Sequence, residues 1–330
     1  MEYRTGPEFS QAGIEEVTAY LKDRRLKKYV LPPDRLHVVN DGRELYLRVS
    51  AAKTEEFPVR GSFLFKLLKW YSFPSRQVDR LSIDTVTSVL NDYLLAIPGG
   101  DVNVTVEDGE ALALTSRRYN ELSDLEVLEG ASRLGIASIS RNDYFMRVYS
   151  QTDFEVQPVP GDVCGLGFNL FNSETGFRSL AVRLYIRRYV CSNGAVVGFD
   201  SGGDDRVHYG HPDMELSRFL EAQLRKAELQ RREVAALLVR SAQISAAPEV
   251  ERTFSRLKPI IGKKRSEELI NSLGEDPTVY DLANAVTSMA QTLDIRKRLQ
   301  AESIGGDLLA PMKVEEIEEA HEFQNELIGG

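Results

Sequence analysis

The chain has 330 residues, of which 42% are hydrophobic and 28% charged, and its 41 basic and 50 acidic side chains give a formal net charge of −9. This length allows two or three domains with hydrophobic cores, and the composition is that of a globular chain rather than a disordered one. The negative total excludes a uniformly basic coat for nucleic acid. It leaves room for one positive face, because local charges attract ligands.

Cysteine usage and the N-terminal residues bear on the compartment. Cys164 and Cys191 are too few for a disulfide framework and lie in no zinc-ligand spacing, so we expect two reduced, buried thiols. The first residues, MEYRTGPEFSQAG, lack the apolar core of a signal peptide, and no apolar run approaches the ~20 residues of a membrane span. We therefore expect a cytoplasmic protein without membrane contact.

The first 135 residues alternate hairpins and helices. A short amphipathic helix is predicted over residues 14–26, with Pro32-Pro33 as its stop. Hairpins are predicted over residues 36–49 and 101–116, because Asn40-Asp41-Gly42 and Asp108-Gly109 are strong turn signals. Further helices are predicted over residues 62–71, 82–95 and 122–134. The first of these is expected to be largely buried, and the last two to be capped by Ser82 or Asp84 and by Ser123 or Asp124.

Beyond residue 135 the sequence predicts strands followed by helices. Strands are predicted near residues 138–150, 165–171, 179–189 and 195–199. Helices fill the chain from residue 213, with breaks near residues 246–248, 274–277 and 305–306. We predict an α+β fold, in which an antiparallel β-sheet built from hairpins packs with helices and is followed by a helical C-terminal region. The expected segments are an N-terminal α+β part (1–100), a β-rich core with one helix (101–205) and a helical part with an acidic tail (206–330).

The most informative segment is the strand pair that ends at Tyr189. It carries four arginines, and no acidic residue lies between Phe177 and Tyr189. Alternation along the second strand places Arg183, Tyr185, Arg187 and Tyr189 on one face and Arg188 on the other. Cations interleaved with aromatic rings are typical of single-strand binding surfaces. Together with Arg178, these residues form a candidate nucleic-acid site, and the alternative is a solvated sheet face with cross-strand ion pairs.

Two other basic segments are candidates. Arg117, Arg118 and Tyr119 follow a strand, and paired guanidiniums beside a phenol suit a phosphate and a stacked base. The alternative is local pairing with Glu121, Asp124 or Glu126. The run Lys263-Lys264-Arg265 could contact nucleic acid or could simply be a solvated helix face with glutamate partners.

Two turn motifs and two acidic segments complete the candidates. Asn172-Ser173-Glu174-Thr175-Gly176 and Cys191-Ser192-Asn193-Gly194 are predicted to be exposed hairpin turns, whose asparagines could touch a ligand or a neighbouring subunit. Residues 200–211 hold acids and histidines without a recognised metal spacing, so a flexible acidic linker is expected and no metal or cofactor is predicted. The glutamate-rich tail beyond Pro311 is expected to compete with DNA for the arginines or to engage a host protein.

Several of these motifs together resemble a known family. The matching elements are Ala113-Leu114-Thr115-Ser116-Arg117-Arg118-Tyr119, residues 124–128, Gly165-Leu166, residues 171–176, Arg188-Tyr189-Val190-Cys191-Ser192-Asn193-Gly194, residues 278–287 and Gly305-Gly306. The chain resembles the phage- and plasmid-encoded proteins of the domain of unknown function 932 family, over residues 104–309. A weaker similarity of plan is to Rad52-like single-strand annealing proteins. These resemblances imply mobile elements and a role in recombination or replication.

Three functions remain open on the sequence. The first is a non-catalytic, oligomeric protein of a phage or plasmid that binds single-stranded DNA. The second is an interaction protein that inhibits a host nuclease or restriction system, which the negative charge and acidic tail favour. The third is a metal-dependent nuclease using Asp200, Asp204 and Asp205, although no positioned lysine accompanies these carboxylates. Binding of single-stranded DNA is the function that we expect.

Overall fold

The computed structural model describes residues 3–73, 75–78, 80–132, 135–150, 154–189, 194–197 and 216–309. The chain forms two compact units. Unit 1 is Met1–Val148, Phe171–Ala181 and Asp205–Phe219, and unit 2 is Tyr149–Leu170, Val182–Asp204 and Leu220–Gly330. Each unit draws on separate stretches of chain, whereas the three predicted segments are consecutive. Those segments stay a prediction.

The elements of the N-terminal 150 residues follow in chain order. The strands are β1 (Phe9–Ala12), β2 (Leu26–Leu31), β3 (Leu36–Asn40), β4 (Leu45–Ser50), β5 (Thr54–Pro58), β6 (Val102–Glu107), β7 (Glu110–Ser116), β8 (Ile136–Arg141) and β9 (Met146–Ser150). The helices are α1 (Ile14–Asp23), α2 (Gly61–Trp70), α3 (Ser75–Val78), α4 (Ile83–Leu95) and α5 (Asp124–Gly130), with a 3₁₀ turn at Pro33–Arg35.

The strands of unit 1 pair in antiparallel fashion. One sheet has the order β3-β4-β5, a second has the order β2-β6-β7, and a third contains β1-β8-β9. In the β6–β7 hairpin, Asp108 and Gly109 both have positive φ, 50° and 84°, as a tight turn between twisted strands requires. Both hairpins expected from the turn signals are therefore confirmed.

Alternating burial explains the core of unit 1. In β4 every second residue is buried, and Leu45, Leu47 and Val49 face inward. They pack with the buried side of α2, which includes Phe63, Leu64 and Leu67, and with Leu90 of α4. Serine caps hold two helix starts in place: Ser82 accepts a hydrogen bond from the backbone of Thr85, and Ser123 forms a capping box with Glu126.

Unit 2 combines a sheet with the C-terminal helices. Its strands are β10 (Glu155–Val159), β11 (Asp162–Asn172), β12 (Ala181–Arg188) and β13 (Gly194–Val197). Their order is β11-β12-β13, and β10 pairs with β11. The helices are α6 (Leu216–Ser241), α7 (Ala247–Ile261), α8 (Lys263–Asn271), α9 (Val279–Ala290) and α10 (Ile295–Asp307). The antiparallel sheets and the helical C-terminal region confirm the predicted α+β class.

Three predicted boundaries were wrong. The strand β2 lies where the first helix was expected to end, so that α1 stops at Asp23. The strand expected over residues 138–150 is two strands, β8 and β9. The helix break expected at Gly305-Gly306 is absent, since α10 continues through both glycines to Asp307. A Cβ at Gly305 would lie 2.5 Å from Cγ2 of Thr287, so glycine here allows α10 to approach α9 closely.

Within the described residues, every helix is either too short or too polar to cross a lipid bilayer.

Candidate nucleic-acid interface

A groove of about 1150 Å³ in unit 1 contains two of the predicted arginines. The end of α2 contributes Trp70 and Tyr71, the end of β7 leads into Arg117 and Arg118, and the opposite wall is residues 96–102. The sequence folds this way because β7 ends at Ser116 and α4 is terminated before Pro98-Gly99-Gly100. The groove therefore contains two guanidiniums and an indole ring, while the ring of Tyr71 is stacked on that of Tyr93 with centroids 4.2 Å apart.

The two guanidiniums differ in their surroundings. Arg117 Nη1 lies 2.9 Å from Oδ2 of Asp101, and its side chain is 69% exposed. Arg118 is exposed and has no carboxylate within ion-pair distance among the residues that the structure describes. A free guanidinium beside an aromatic ring can bind phosphate with two parallel hydrogen bonds while a base stacks on the ring. Of the predicted local acids, Glu121 pairs with Lys28 instead.

Tyr119 does not belong to this groove. It is buried, and its hydroxyl donates to the carbonyl oxygen of Ser173. The prediction that its ring offers a stacking surface is therefore wrong. The phenol instead fixes the connection between β11 and β12 to the end of β7.

Lysines of α2 lie next to the groove. Lys69 immediately precedes Trp70, and the Nζ atoms of Lys66 and Lys69 lie 5.2 and 5.9 Å from the ring centroid of Phe177. Burial, with the neighbouring ammonium of Lys69, lowers the pKa of Lys66 to about 8. The sequence prediction did not include these lysines, because it treated residues 63–71 (FLFKLLKWY) as largely buried. The signal was present, because two lysines three residues apart within an apolar run must share one exposed helix face.

The Asn172–Gly176 motif is buried rather than exposed. Asn172 donates to Oδ1 of Asp124 over 2.8 Å, Ser173 donates to the carbonyl of Tyr144 over 2.6 Å, and Thr175 donates to the carbonyl of Asp143 over 2.9 Å. The expectation of an exposed turn whose asparagine meets a ligand or subunit is wrong for Asn172. The motif holds together the interior of unit 1.

Glu174 belongs to a buried ionic network of three arginines and four acids. Its members are Arg24, Arg60, Arg141, Glu107, Asp124, Asp143 and Glu174, and each has a side chain no more than 5% exposed. Arg24 contacts both Glu107 and Glu174, and Arg141 Nε lies 2.8 Å from Oδ2 of Asp124. These guanidiniums are not accessible to a large polyanion.

The pKa values of two carboxyl groups of the network are shifted in opposite directions, although burial raises both. Removal from water, with the charge of Glu174 nearby, raises the pKa of Asp124 to about 6. The hydrogen bonds and charges of Arg24 and Arg141 outweigh burial at Glu174 and hold its pKa below the usual range. Arg24 and Arg60 have pKa values raised by their carboxylate partners despite burial, so they stay charged.

The predicted arginine–tyrosine face of β12 is only partly present. Tyr185 is buried and packs edge-on against Tyr149, with ring centroids 5.4 Å apart, so it offers no stacking surface. Arg183 is half-buried, whereas Arg187 is exposed and Tyr189 is 42% exposed. The burial pattern of β12 shows that both faces are mostly covered, which alternation alone does not reveal.

The other two arginines of this segment also have partners. Arg188 Nε lies 2.7 Å from each oxygen of Asp162, and Tyr280 donates to the same carboxylate over 2.8 Å. Cys164 is buried beside Tyr280, and burial raises the pKa of its thiol, as expected for an unreactive cysteine. In unit 1, the guanidinium of Arg178 lies over the rings of Phe145 and Phe171. Hence Arg188 serves the packing of unit 2.

The basic run of α8 follows the solvated alternative. Lys263 and Lys264 are exposed and lie 3.6 and 3.9 Å from Glu267 and Glu268, one helical turn away. Arg265 is exposed as well. Such pairs neutralise most of the local charge, so α8 is a weaker candidate than the groove.

Four sequence predictions concern residues outside the described part. They are the part of the Cys191–Gly194 turn that ends at Asn193, the state of Cys191, the acidic segment 200–211 and the acidic tail beyond residue 310. The acidic segment includes the three candidate nuclease aspartates. Within the described ranges no cluster of three histidines, cysteines or acids is arranged to hold a metal ion.

Comparison with known proteins gives no relative from which a role could be transferred. No protein-family model, no curated protein and no solved structure matches this chain.

Proposed function

We propose that this protein binds single-stranded DNA through the groove of unit 1 lined by Trp70, Tyr71, Arg117 and Arg118. The observation that supports this proposal is that one groove contains an indole ring and an exposed guanidinium that has no carboxylate partner among the described residues. Arginine supplies bidentate hydrogen bonds to phosphate, and the aromatic ring supplies a stacking surface. This revises the sequence-based site, which centred on β12.

A single strand fits this groove better than a duplex. In a duplex the bases are stacked on each other, and a protein reaches phosphates and groove edges. Trp70 can stack only on a base that is unpaired, whereas the ring of Tyr71 is already stacked on that of Tyr93. The short basic surface also suits a strand better than a broad duplex footprint, because the rest of the chain is net acidic.

The proposal includes no chemical step. The setting in phage or plasmid recombination or replication, and assembly into oligomers, derive from the resemblance to the domain of unknown function 932 family and stay predictions. The second candidate is an interaction protein that inhibits a host nuclease or restriction system, which the net charge of −9 favours. It predicts a stable complex with a host protein and no binding of oligonucleotides.

The chain contains one tryptophan, Trp70, so its intrinsic fluorescence reports on the groove directly. Titration with an oligothymidylate of about 16 nucleotides should quench this fluorescence. The logarithm of affinity should fall with the logarithm of salt concentration, by about 0.7 for each phosphate contacted. Arg118→Ala should weaken binding about tenfold and reduce the salt slope, because one charged hydrogen-bond donor is lost.

Arg43→Ala is the matched control. Arg43 is exposed on the turn between β3 and β4 and does not line the groove. Its replacement changes the net charge by the same amount as Arg118→Ala without altering the proposed site. Affinity in this variant should match that of the unaltered protein. Absence of quenching and of binding would overturn the proposal in favour of the interaction protein. Loss of binding in Arg187→Ala but not in Arg118→Ala would move the site to β12.

A further inference from the structure

We infer that the DNA surface continues from the groove along α2 to a second phosphate subsite formed by Lys66 and Lys69 and positioned by Phe177. The ligand is then a strand that spans both subsites rather than a single nucleotide. This inference rests on the proposed function and extends it by naming how much of a strand the protein holds.

The two subsites are adjacent along one helix. Trp70, which lines the groove, directly follows Lys69 and lies one helical turn beyond Lys66. One turn of an α-helix advances by about 5.4 Å, so a strand crossing the groove reaches the lysines without leaving the surface of α2. Lys69 is exposed and Lys66 half-buried.

The loop that carries Phe177 is hydrogen-bonded to Lys66 of α2 and to Tyr119, the residue after Arg118. Lys66 donates to the carbonyl oxygen of Gly176, and the hydroxyl of Tyr119, next to Arg118, donates to the carbonyl of Ser173. Gly176 has φ +73°, and a Cβ there would lie 2.8 Å from Nζ of Lys66 and 3.2 Å from Cε2 of Tyr119. The positive φ favours glycine at this position, whereas Nζ of Lys66 is the movable end of its side chain. The two hydrogen bonds therefore place the loop so that the ring of Phe177 lies under both lysine ammonium groups.

The charges of this subsite lack a carboxylate counterion among the residues that the structure describes. Both ammonium groups lie over one ring, within 6 Å of its centroid, and no described carboxylate comes within ion-pair distance of either. The lowered pKa of Lys66 reflects burial and this repulsion. A phosphate between the two lysines would relieve the repulsion, whereas a solvated pair with glutamate partners, as on α8, would gain little.

Contact with the lysines should require a longer DNA strand than contact with Arg118. A strand too short to leave the groove contacts Arg118 alone, whereas a longer one gains the second phosphate. Affinities of oligothymidylates of about 2, 4, 8 and 16 nucleotides can be measured by Trp70 fluorescence and by anisotropy of labelled strands. In Lys69→Ala we expect unchanged affinity for the shortest strand and about fivefold weaker affinity for the longest, with a smaller salt slope.

Arg118→Ala and Arg43→Ala are the two comparison variants for this experiment. Arg118→Ala should lose affinity at every length, and Arg43→Ala at none. Equal loss at all lengths in Lys69→Ala, or no loss at any length, would overturn the second subsite while leaving the groove intact. If the unaltered protein binds no strand of any length, the proposed function itself fails.

Protection from a lysine-acylating reagent provides a second measurement that needs no variant. Long strands should reduce acylation of Lys66 and Lys69, and the shortest strands should not. Lys264, which is exposed on α8, serves as the unprotected reference. Acylation of Lys69 that is unchanged under saturating long strand would contradict the inference.

Discussion

Unit 1 contains two groups of arginines in opposite environments. Arg24, Arg60 and Arg141 have side chains 2–3% exposed and contact buried carboxylates. Arg117 and Arg118 lie at the surface of a groove, where Asp101 is the one described carboxylate in ion-pair contact. Burying a guanidinium is tolerable only with such partners, whereas an exposed one remains available to a ligand. Whether an arginine is available to a ligand therefore depends on the carboxylates that surround it, and the number of arginines in a segment does not show this.

The two groups also differ in what they hold. The buried network ties together distant parts of the chain: Arg24 and Glu107 are 83 residues apart, and Arg24 and Glu174 are 150 apart. Its role is to fix the interior of unit 1. The groove arginines contact little of the protein. Substitutions in the first group should therefore change stability, and those in the second should change binding.

The largest expected effect is from Glu174→Gln. Glu174 accepts hydrogen bonds from Arg24, Arg141 and the backbone of Asp124, so loss of its charge leaves buried guanidiniums uncompensated. We expect the free energy of unfolding to fall by about 3–5 kcal/mol, measured by urea denaturation. Glu56→Gln is the control, because the Arg48–Glu56 pair is 43% and 46% exposed and screened by water. Equally small losses in both variants would show that burial does not distinguish these ion pairs.

The next effect is a pH dependence at Asp124. Its pKa is raised from the ordinary 3.8 to about 6, mainly by burial, so the folded chain binds this proton more tightly than the unfolded chain. The stability due to Asp124 is fully present below about pH 4 and falls by about 3 kcal/mol as the pH rises through 6.

Comparison with Asp124→Asn isolates this titration, because all other groups titrate in both proteins. The unfolding free energy of the unaltered protein, relative to the variant, should be about 2.5 kcal/mol lower at pH near 7.5 than at pH near 4. Urea denaturation across this range measures the difference. A difference that does not depend on pH would mean that Asp124 stays ionised in the interior.

The smallest effect concerns Asp101, which forms an ion pair with Arg117. Asp101→Asn frees Arg117 from its ion pair, so binding of the oligothymidylate should tighten about two- to fivefold at low salt, with a steeper salt slope. Glu275→Gln changes the net charge equally at an exposed position of unit 2. Equal tightening in both variants would attribute the gain to net charge rather than to the release of Arg117.

The candidate site was predicted in part. Arg117 and Arg118 were identified from their position after a strand, and the structure places both in a groove. Trp70 and the lysines of α2 were not identified, because the apolar run was taken as buried although the spacing of its two lysines indicates an exposed side. Tyr119 and Tyr185 were expected to be accessible and are buried, since distant segments supply the atoms that cover them.

Local chemistry alone determined the hairpins and helix starts of this protein. Asn40-Asp41-Gly42 and Asp108-Gly109 favour tight turns whatever surrounds them, and Ser82 and Ser123 cap helices within three residues. Only the tertiary structure decided which charges are buried and which are free. The partners of Arg24 are 83 and 150 residues away, and no pattern within a short segment encodes a contact made across such a separation. The exposed Arg118 and the buried Arg24 therefore look alike in sequence and differ because folding brings carboxylates to one of them.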